Sequence, residues 1–235
     1  MLTVKSTAHI LWHAGVMAGQ RERARQAVLE EITVEARAQL ARDGAAGLSL
    51  RSVARELDMV SSGIYRYVAS RDALLTMLIV AGYDRLGAAL EQAAGSGSAR
   101  ERWQATGRGL RLWAGANPHE YALLYGSPVP GYAAPQDTID PATRVYAALA
   151  APLRGAAVPP GRPALTGALA EDGVRLAEAL DLAISPETAI ALLGALGTLF
   201  GLVSLELFGH THNVVTDHEA FFTHHLEAVA DRLGL

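Results

Sequence analysis

The chain has 235 residues, half of them hydrophobic and 19% charged, with a formal net charge of −4. That describes one or two domains with enough apolar side chain for a real core, and it excludes wholesale disorder. There is no cysteine, so a disulfide scaffold and a thiolate metal site are excluded, and an intracellular, cytoplasmic setting fits.

The charge is unevenly spread. Residues 1–75 hold ten Lys/Arg and eight Asp/Glu, whereas the rest holds ten and sixteen. A weakly basic N-terminal module on an acidic body is suggested. Alanine, leucine and glycine dominate and β-branched runs are scarce, which predicts an all-α protein.

In chain order, residues 1–20 put one lysine and two histidines where a signal peptide needs a basic start and an apolar centre. They are expected to form an N-terminal arm or extra helix. Arg21 to Asp43 is rich in helix formers, and Leu29, Ile32, Ala36 and Leu40 mark one face. Gly44 is the expected stop. Ser49 precedes LRSVAREL as a predicted N-cap. Asp58 ends that helix, and Ser61 or Ser62 is expected to cap a short second helix, Ser61–Tyr67. Ser70 opens a third, running to Ala94 with Asp72 in its first turn. GSGS at 95–98 reads as a flexible joint.

Beyond it, a helix through Trp103 and Trp113 ends near Ala116, and Asn117-Pro118 starts the next with Asn as cap. Residues 126–139 read as loop. Asp140-Pro141 starts a helix towards Leu153, Arg154–Pro163 reads as loop, and a helix follows over about 164–180. Ser185-Pro186-Glu187 opens a long apolar helix to Phe208. Gly209–Thr216 turns the chain, and Phe222, Leu226, Val229 and Leu233 mark a last amphipathic helix. The uncharged run Ala189–Leu205 reaches the lower edge of a membrane span. Glu187 and Glu206 bracket it and no basic cluster follows, so a helix buried between subunits is expected and no membrane partner.

The informative stretch is 49–75. Two short helices, a tight turn at Asp58-Met59, the small Ala54 at the crossing and apolar Val53, Leu57 and Ile64 describe a helix-turn-helix. The second helix of such a unit enters the DNA major groove. Arg51 and Arg66 could each pair with guanine, Ser61, Ser62 and Gly63 are small enough for close approach to base edges, and Ser49, Tyr65, Tyr67 and Arg71 suit phosphate oxygens. Free N–H groups at the helix starts would add to the anion site. Arg66 stays open between reading a base and holding backbone.

GLSLRSVARELDMVSSGIYRYVASRDALL, Gly47–Leu75, resembles the DNA-binding domain of TetR-family transcriptional regulators of the TetR/AcrR, actinobacterial type. The likeness spans about 50 of the 235 residues. WAGANPHEYALLYGSPVPGY and GLVSLELFGH carry a weaker likeness to the family's ligand-binding half. Two departures are visible: Asp58 stands where many such turns have glycine, and Phe200-Gly201 where a His-Gly pair is common. The resemblance implies base contacts at Arg51, Ser61, Ser62 and Gly63, and phosphate contacts at Ser49, Tyr65, Tyr67 and Arg71. It implies domains at 1–20, 21–70 and 71–235: an arm or extra helix, a three-helix helix-turn-helix domain, and, joined through a long helix, a helical effector-binding and dimerisation domain. It further implies a homodimer through helices 186–208 and 217–233, a palindromic DNA operator, repression, and release by a small-molecule effector. Candidate effector-binding residues are Trp113, Tyr121, Tyr125 and Phe200, and scarce charge points to a largely apolar or aromatic ligand.

His210, His212, His218, His224 and His225 fall close together, as do His9 and His13, but no paired carboxylate or cysteine accompanies them. A solvated turn and helix face is expected, without metal or cofactor. No HExxH, P-loop or GxSxG is present, so an enzyme is not expected. The competing possibility is a helical ligand-binding or scaffolding protein without DNA binding.

Overall fold

The computed structural model describes residues 4–154 and 163–235, with side chains of the first helix described from Gly19 onward. The side chains of His9 and His13 and most of the expected 154–163 loop lie outside that description. Among the described residues there is no strand. The helices are α1 (Val4–Gly47), α2 (Leu50–Glu56), α3 (Arg71–Ala94), α4 (Ala99–Ala116), α5 (Pro118–Tyr125), α6 (Ile139–Ala150), α7 (Ala168–Ala179), α8 (Pro186–Leu207) and α9 (His218–Leu233). Three 3-10 turns, Ile64–Arg66, Gln136–Thr138 and Ala151–Leu153, join them. Two compact units result, Met1–Leu78 and Ile79–Leu235. The division falls inside α3.

In the first unit the predicted stripe of α1 is largely inward: Ile32, Ala36 and Leu40 are buried and Leu29 half-buried. Gly44 (φ 68) breaks the regular helix, a left-handed geometry that glycine adopts without steric cost. Ser49 takes the N-cap position of α2, yet its side chain makes no capping bond. Instead its N–H donates to Oε1 of Gln39 on α1 at 3.0 Å. Ser70 does cap α3, its Oγ accepting from the Ala73 N–H at 3.1 Å.

The expected second helix over Ser61–Tyr67 is not an α-helix. Its core is the 3-10 turn Ile64–Arg66. Bonds run over three residues, Gly63 N–H to Val60 O, Arg66 N–H to Gly63 O and Tyr67 N–H to Ile64 O. No serine side chain caps it. A stretch this short cannot recover the cost of nucleating an α-helix, so the tighter turn wins once the core holds its ends. Ile64 and Val68 are those ends, 0% and 1% exposed.

In the second unit α8 packs on α7, α9 and α4. Where α4 meets α9, a Cβ on Gly107 would lie 2.6 Å from Leu226, and Trp103 Nε1 donates to Leu226 O at 3.2 Å. Arg111 of α4 pairs with Glu206 of α8 at 2.7 Å and with Glu219 of α9, joining three helices. GSGS is more than a flexible joint. Gly95 and Gly97 have positive φ, and Ser98 forms a reciprocal capping box with Glu101, which holds the Glu101 carboxyl below its ordinary range. Asn117 does not cap α5; its amide donates back to Trp113 O at 2.9 Å. Pro118 still takes the first turn.

α3 and α8 are long and apolar enough to cross a membrane by length and composition. α8, expected to need cover on every side, is covered on one. Leu192, Leu196, Leu199 and Val203 are buried, while Leu193, Leu205 and Phe208 are exposed. A Cβ on Gly194, Gly197 or Gly201 would meet nothing within 4 Å.

Candidate functional site

The exposed edge of the first unit is built on the end of α2. The Asp58 N–H donates to Arg55 O, and the Met59 N–H donates to Ala54 O at 2.8 Å. Asp58 itself has φ 52. This is a complete Schellman cap, with aspartate where glycine is preferred. The cap reverses the chain, and Ile64 and Val68 then pin residues 60–68 to the core.

Most of the polar side chains around those anchors face solvent. Arg51, Ser61, Ser62, Tyr65 and Arg66 are exposed, and Gly63 and Tyr67 are half-buried. Gly63 has a local reason to lack a side chain: a Cβ there would meet Val60 Cγ2 and Val60 O, each at 3.1 Å. The Gly63 N–H, at the start of the expected helix, is spent on Val60 O at 2.7 Å.

Arg71 has a structural task. Its Nη2 donates to Ala45 O at 2.6 Å and its Nε to Leu48 O at 3.2 Å. It ties the start of α3 to the end of α1 and so orients whatever lies between. Arg25 was not singled out in the sequence. It reaches from α1 to donate Nη1 to Arg66 O at 3.2 Å, and its guanidinium lies 5.7 Å from the Tyr67 ring centroid. Only the basic run RERAR, Arg21–Arg25, hinted at it. The Arg66 carbonyl thus accepts from the Arg25 guanidinium, while the Arg66 side chain remains exposed.

The second unit contains a cavity of about 490 Å³. It is lined by Ile79 and Tyr83 of α3, Leu123 and Leu124 of α5, residues of the 126–139 loop including Tyr132 and Thr138, and Thr143 and Tyr146 of α6. No Asp, Glu, Lys, Arg or His lines it. Burial raises the phenol pKa of Tyr83 and Tyr146, keeping both as O–H donors at neutral pH. Trp113, Tyr121, Tyr125 and Phe200, the expected effector-binding residues, are not among the residues lining this cavity. Tyr121 is fully buried, with its hydroxyl 3.0 Å from Phe200 O and 2.9 Å from Ser204 Oγ. Tyr125 stacks 4.4 Å from Phe200, and its hydroxyl is buried without a partner. Trp113 packs against the core. Three of the four form an aromatic layer one ring away from the cavity, since Tyr125 meets Tyr83 and Phe200 meets Tyr146. Aromatic type marked the region; only packing decided which rings face the space.

α3 is fastened beside this cavity from two sides. Arg85 pairs with Glu120 of α5. Glu91 takes a two-pronged bond from Arg144 of α6 at 2.8 and 2.7 Å, which holds its carboxyl below the ordinary 4.5. Among the described residues, no group of three or more His, Cys, Asp or Glu is placed to hold a metal.

Residues 103–229 match the family model described as the tetracyclin repressor-like C-terminal domain. HTH-type transcriptional regulators of Mycobacterium tuberculosis (Rv1816) and Mycobacterium bovis (Mb1846) are each 49% identical over 135 residues. That match spans 55% of this chain and 57% of each relative. A solved structure of SCO4313, described as a regulatory protein, is 30% identical, with TM-score 0.74 over 89% of this chain and 98% of its own. At fold level, the transcriptional regulator PfmR of Thermus thermophilus is similar at 14% identity and TM-score 0.52, over 84% of this chain and 96% of its own.

Proposed function

We propose, for a chain that belongs to the TetR family of transcriptional regulators, that it binds a palindromic DNA operator as a homodimer, represses, and is released by a small-molecule effector. The observation that carries the DNA part is the division of labour within residues 60–68. Ile64 and Val68 are buried to the last few per cent, while Ser61, Ser62, Tyr65 and Arg66 are exposed between and before them, as is Arg51 on α2. Arg51 and the serines are assigned to base edges; Tyr65, Tyr67 and Ser49 are assigned to phosphates. Arg25 and Arg71 position them. So few phosphate contacts give modest affinity per subunit, and the partner supplies a second half-site. The uncovered glycine face of α8 and the apolar groove it makes with Val229 and Leu233 of α9 are assigned to that isologous dimer.

The effector is assigned to the tyrosine-lined cavity. With no ionic side chain in the lining, it takes a neutral, largely apolar or aromatic ligand carrying hydrogen-bonding groups. Ile79 and Tyr83 belong to both the lining and α3, so a bound ligand bears directly on the helix whose first turn Arg71 holds. A DNA partner implies a cytoplasmic location.

The test is selection of bound sequences from a randomised duplex pool, followed by gel shifts with salt titration. Arg51→Ala should relax base preference, whereas Tyr65→Phe should weaken all sequences alike. Failure to enrich any sequence would favour a ligand-binding or scaffolding protein instead. An effector that fills the cavity and leaves operator affinity unchanged would end the release model.

A further inference from the structure

We propose that Val60 reads the 5-methyl group of a thymine in the operator, making it an apolar specificity determinant on an otherwise polar surface; this rests on the DNA-binding reading above. Val60 is 74% exposed, more than any other large apolar side chain described in the first unit. Single exposed apolar residues are ordinary on protein surfaces. This one is set apart by where it stands.

It follows the Schellman cap directly and precedes the exposed Ser61 and Ser62. Its carbonyl accepts the Gly63 N–H at 2.7 Å. One γ-methyl lies over Gly63, close enough that a Cβ at position 63 would sit 3.1 Å from it. The backbone at Val60 is held by that bond, and its side chain stands exposed next in sequence to the serines assigned to base edges. Val60 can neither donate nor accept a hydrogen bond through its side chain, so phosphates and most base-edge atoms offer that side chain nothing. In the major groove, the thymine methyl is the apolar group that a base pair displays. Covering one methyl is worth about fourfold in affinity per half-site, so about fifteenfold for a symmetric pair.

The experiment starts from the duplex selected from the random pool by the wild-type full-length protein. Each thymine is then replaced in turn, symmetrically, by uracil, which lacks only the methyl. The expected result is one symmetric thymine position at which uracil costs about fifteenfold. Val60→Ser should bind thymine and uracil duplexes alike at that position. Val60→Thr, which keeps one γ-methyl, should retain part of the discrimination, and its exposed position leaves folding intact. The proposal is overturned if no uracil replacement weakens the wild type, or if Val60→Ser discriminates as strongly as the wild type does. If the wild type enriches no sequence at all, the DNA-binding reading itself fails, an outcome distinct from methyl-blind binding to a selected site.

Discussion

Two helices of this chain end in the same cap with the same unfavoured residue, which makes a controlled experiment available. At the end of α2, Asp58 has φ 52; at the end of α7, Asp181 has φ 50. Each sits in a Schellman cap, closed by Met59 N–H to Ala54 O at 2.8 Å and by Leu182 N–H to Ala177 O at 3.0 Å. A side chain in the left-handed region costs about 1–2 kcal/mol, less for aspartate, and glycine returns part of that gain as chain entropy. Asp58→Gly and Asp181→Gly should therefore each stabilise by about 0.5–1 kcal/mol, raising the melting temperature by roughly 1–4 °C. Asp58→Ala and Asp181→Ala should destabilise instead, since alanine keeps the Cβ and loses the local hydrogen-bonding options of aspartate. The function separates the pair. Asp58 stands beside the assigned DNA face, and a carboxylate about 10 Å from a phosphate in water costs about 0.4 kcal/mol per half-site. Asp58→Gly should tighten operator binding two- to fourfold at low salt, and less at high salt. Asp181→Gly should leave binding unchanged. Thermal melts by circular dichroism and gel shifts at two salt concentrations read both quantities. The capping argument fails if the glycine variants melt lower than wild type. The placement of the DNA face fails if Asp181→Gly alters operator affinity as much as Asp58→Gly does.

Arg25→Ala removes both the bond to Arg66 O and the cation over Tyr67; binding to every DNA sequence should weaken about tenfold, and a change confined to one base position would contradict a positioning role. Gly197→Glu places a carboxylate on the open face of α8, and stranding it at an interface costs ~3 kcal/mol or more. Sedimentation should then show a monomer, whereas an intact dimer would move the interface elsewhere. The carboxyl of Glu91 is held below 4.5 by Arg144, so its stabilisation is whole above that pH and is lost as the pH falls further. Glu91→Gln should flatten the acid limb of melting temperature against pH; an unaltered limb would remove the Glu91–Arg144 pair from the acid response.

The amphipathic stripes were legible because burial follows periodicity. Ile32, Ala36 and Leu40 in α1, and Phe222, Leu226, Val229 and Leu233 in α9, stand at helical spacing and are buried. The left-handed turn at Asp58 was legible too, because a short polar residue between two apolar-patterned segments is what such a turn demands. Side-chain capping was less so: Ser98, Ser70 and Ser185 cap their helices, while Ser49 and Asn117 occupy cap positions and bond elsewhere. The Trp113 carbonyl takes the Asn117 amide and a buried Gln39 holds the Ser49 N–H while its hydroxyl caps nothing, and nothing local in the chain announces either outcome.

Sequence by itself determined the helical class, the helix-turn-helix and its exposed donors, because these depend on spacing within about thirty residues. Tertiary structure decided the rest. It tightened residues 64–66 into a 3-10 turn, since two buried anchors hold a segment too short to propagate an α-helix. It gave Arg71 to backbone carbonyls and brought Arg25 across 41 residues to Arg66. It also opened a cavity onto Tyr83, Tyr132 and Tyr146, with Tyr121, Tyr125 and Phe200 packed behind it. In each case the deciding contact joins residues far apart in the chain, where composition names the participants and only packing chooses among them.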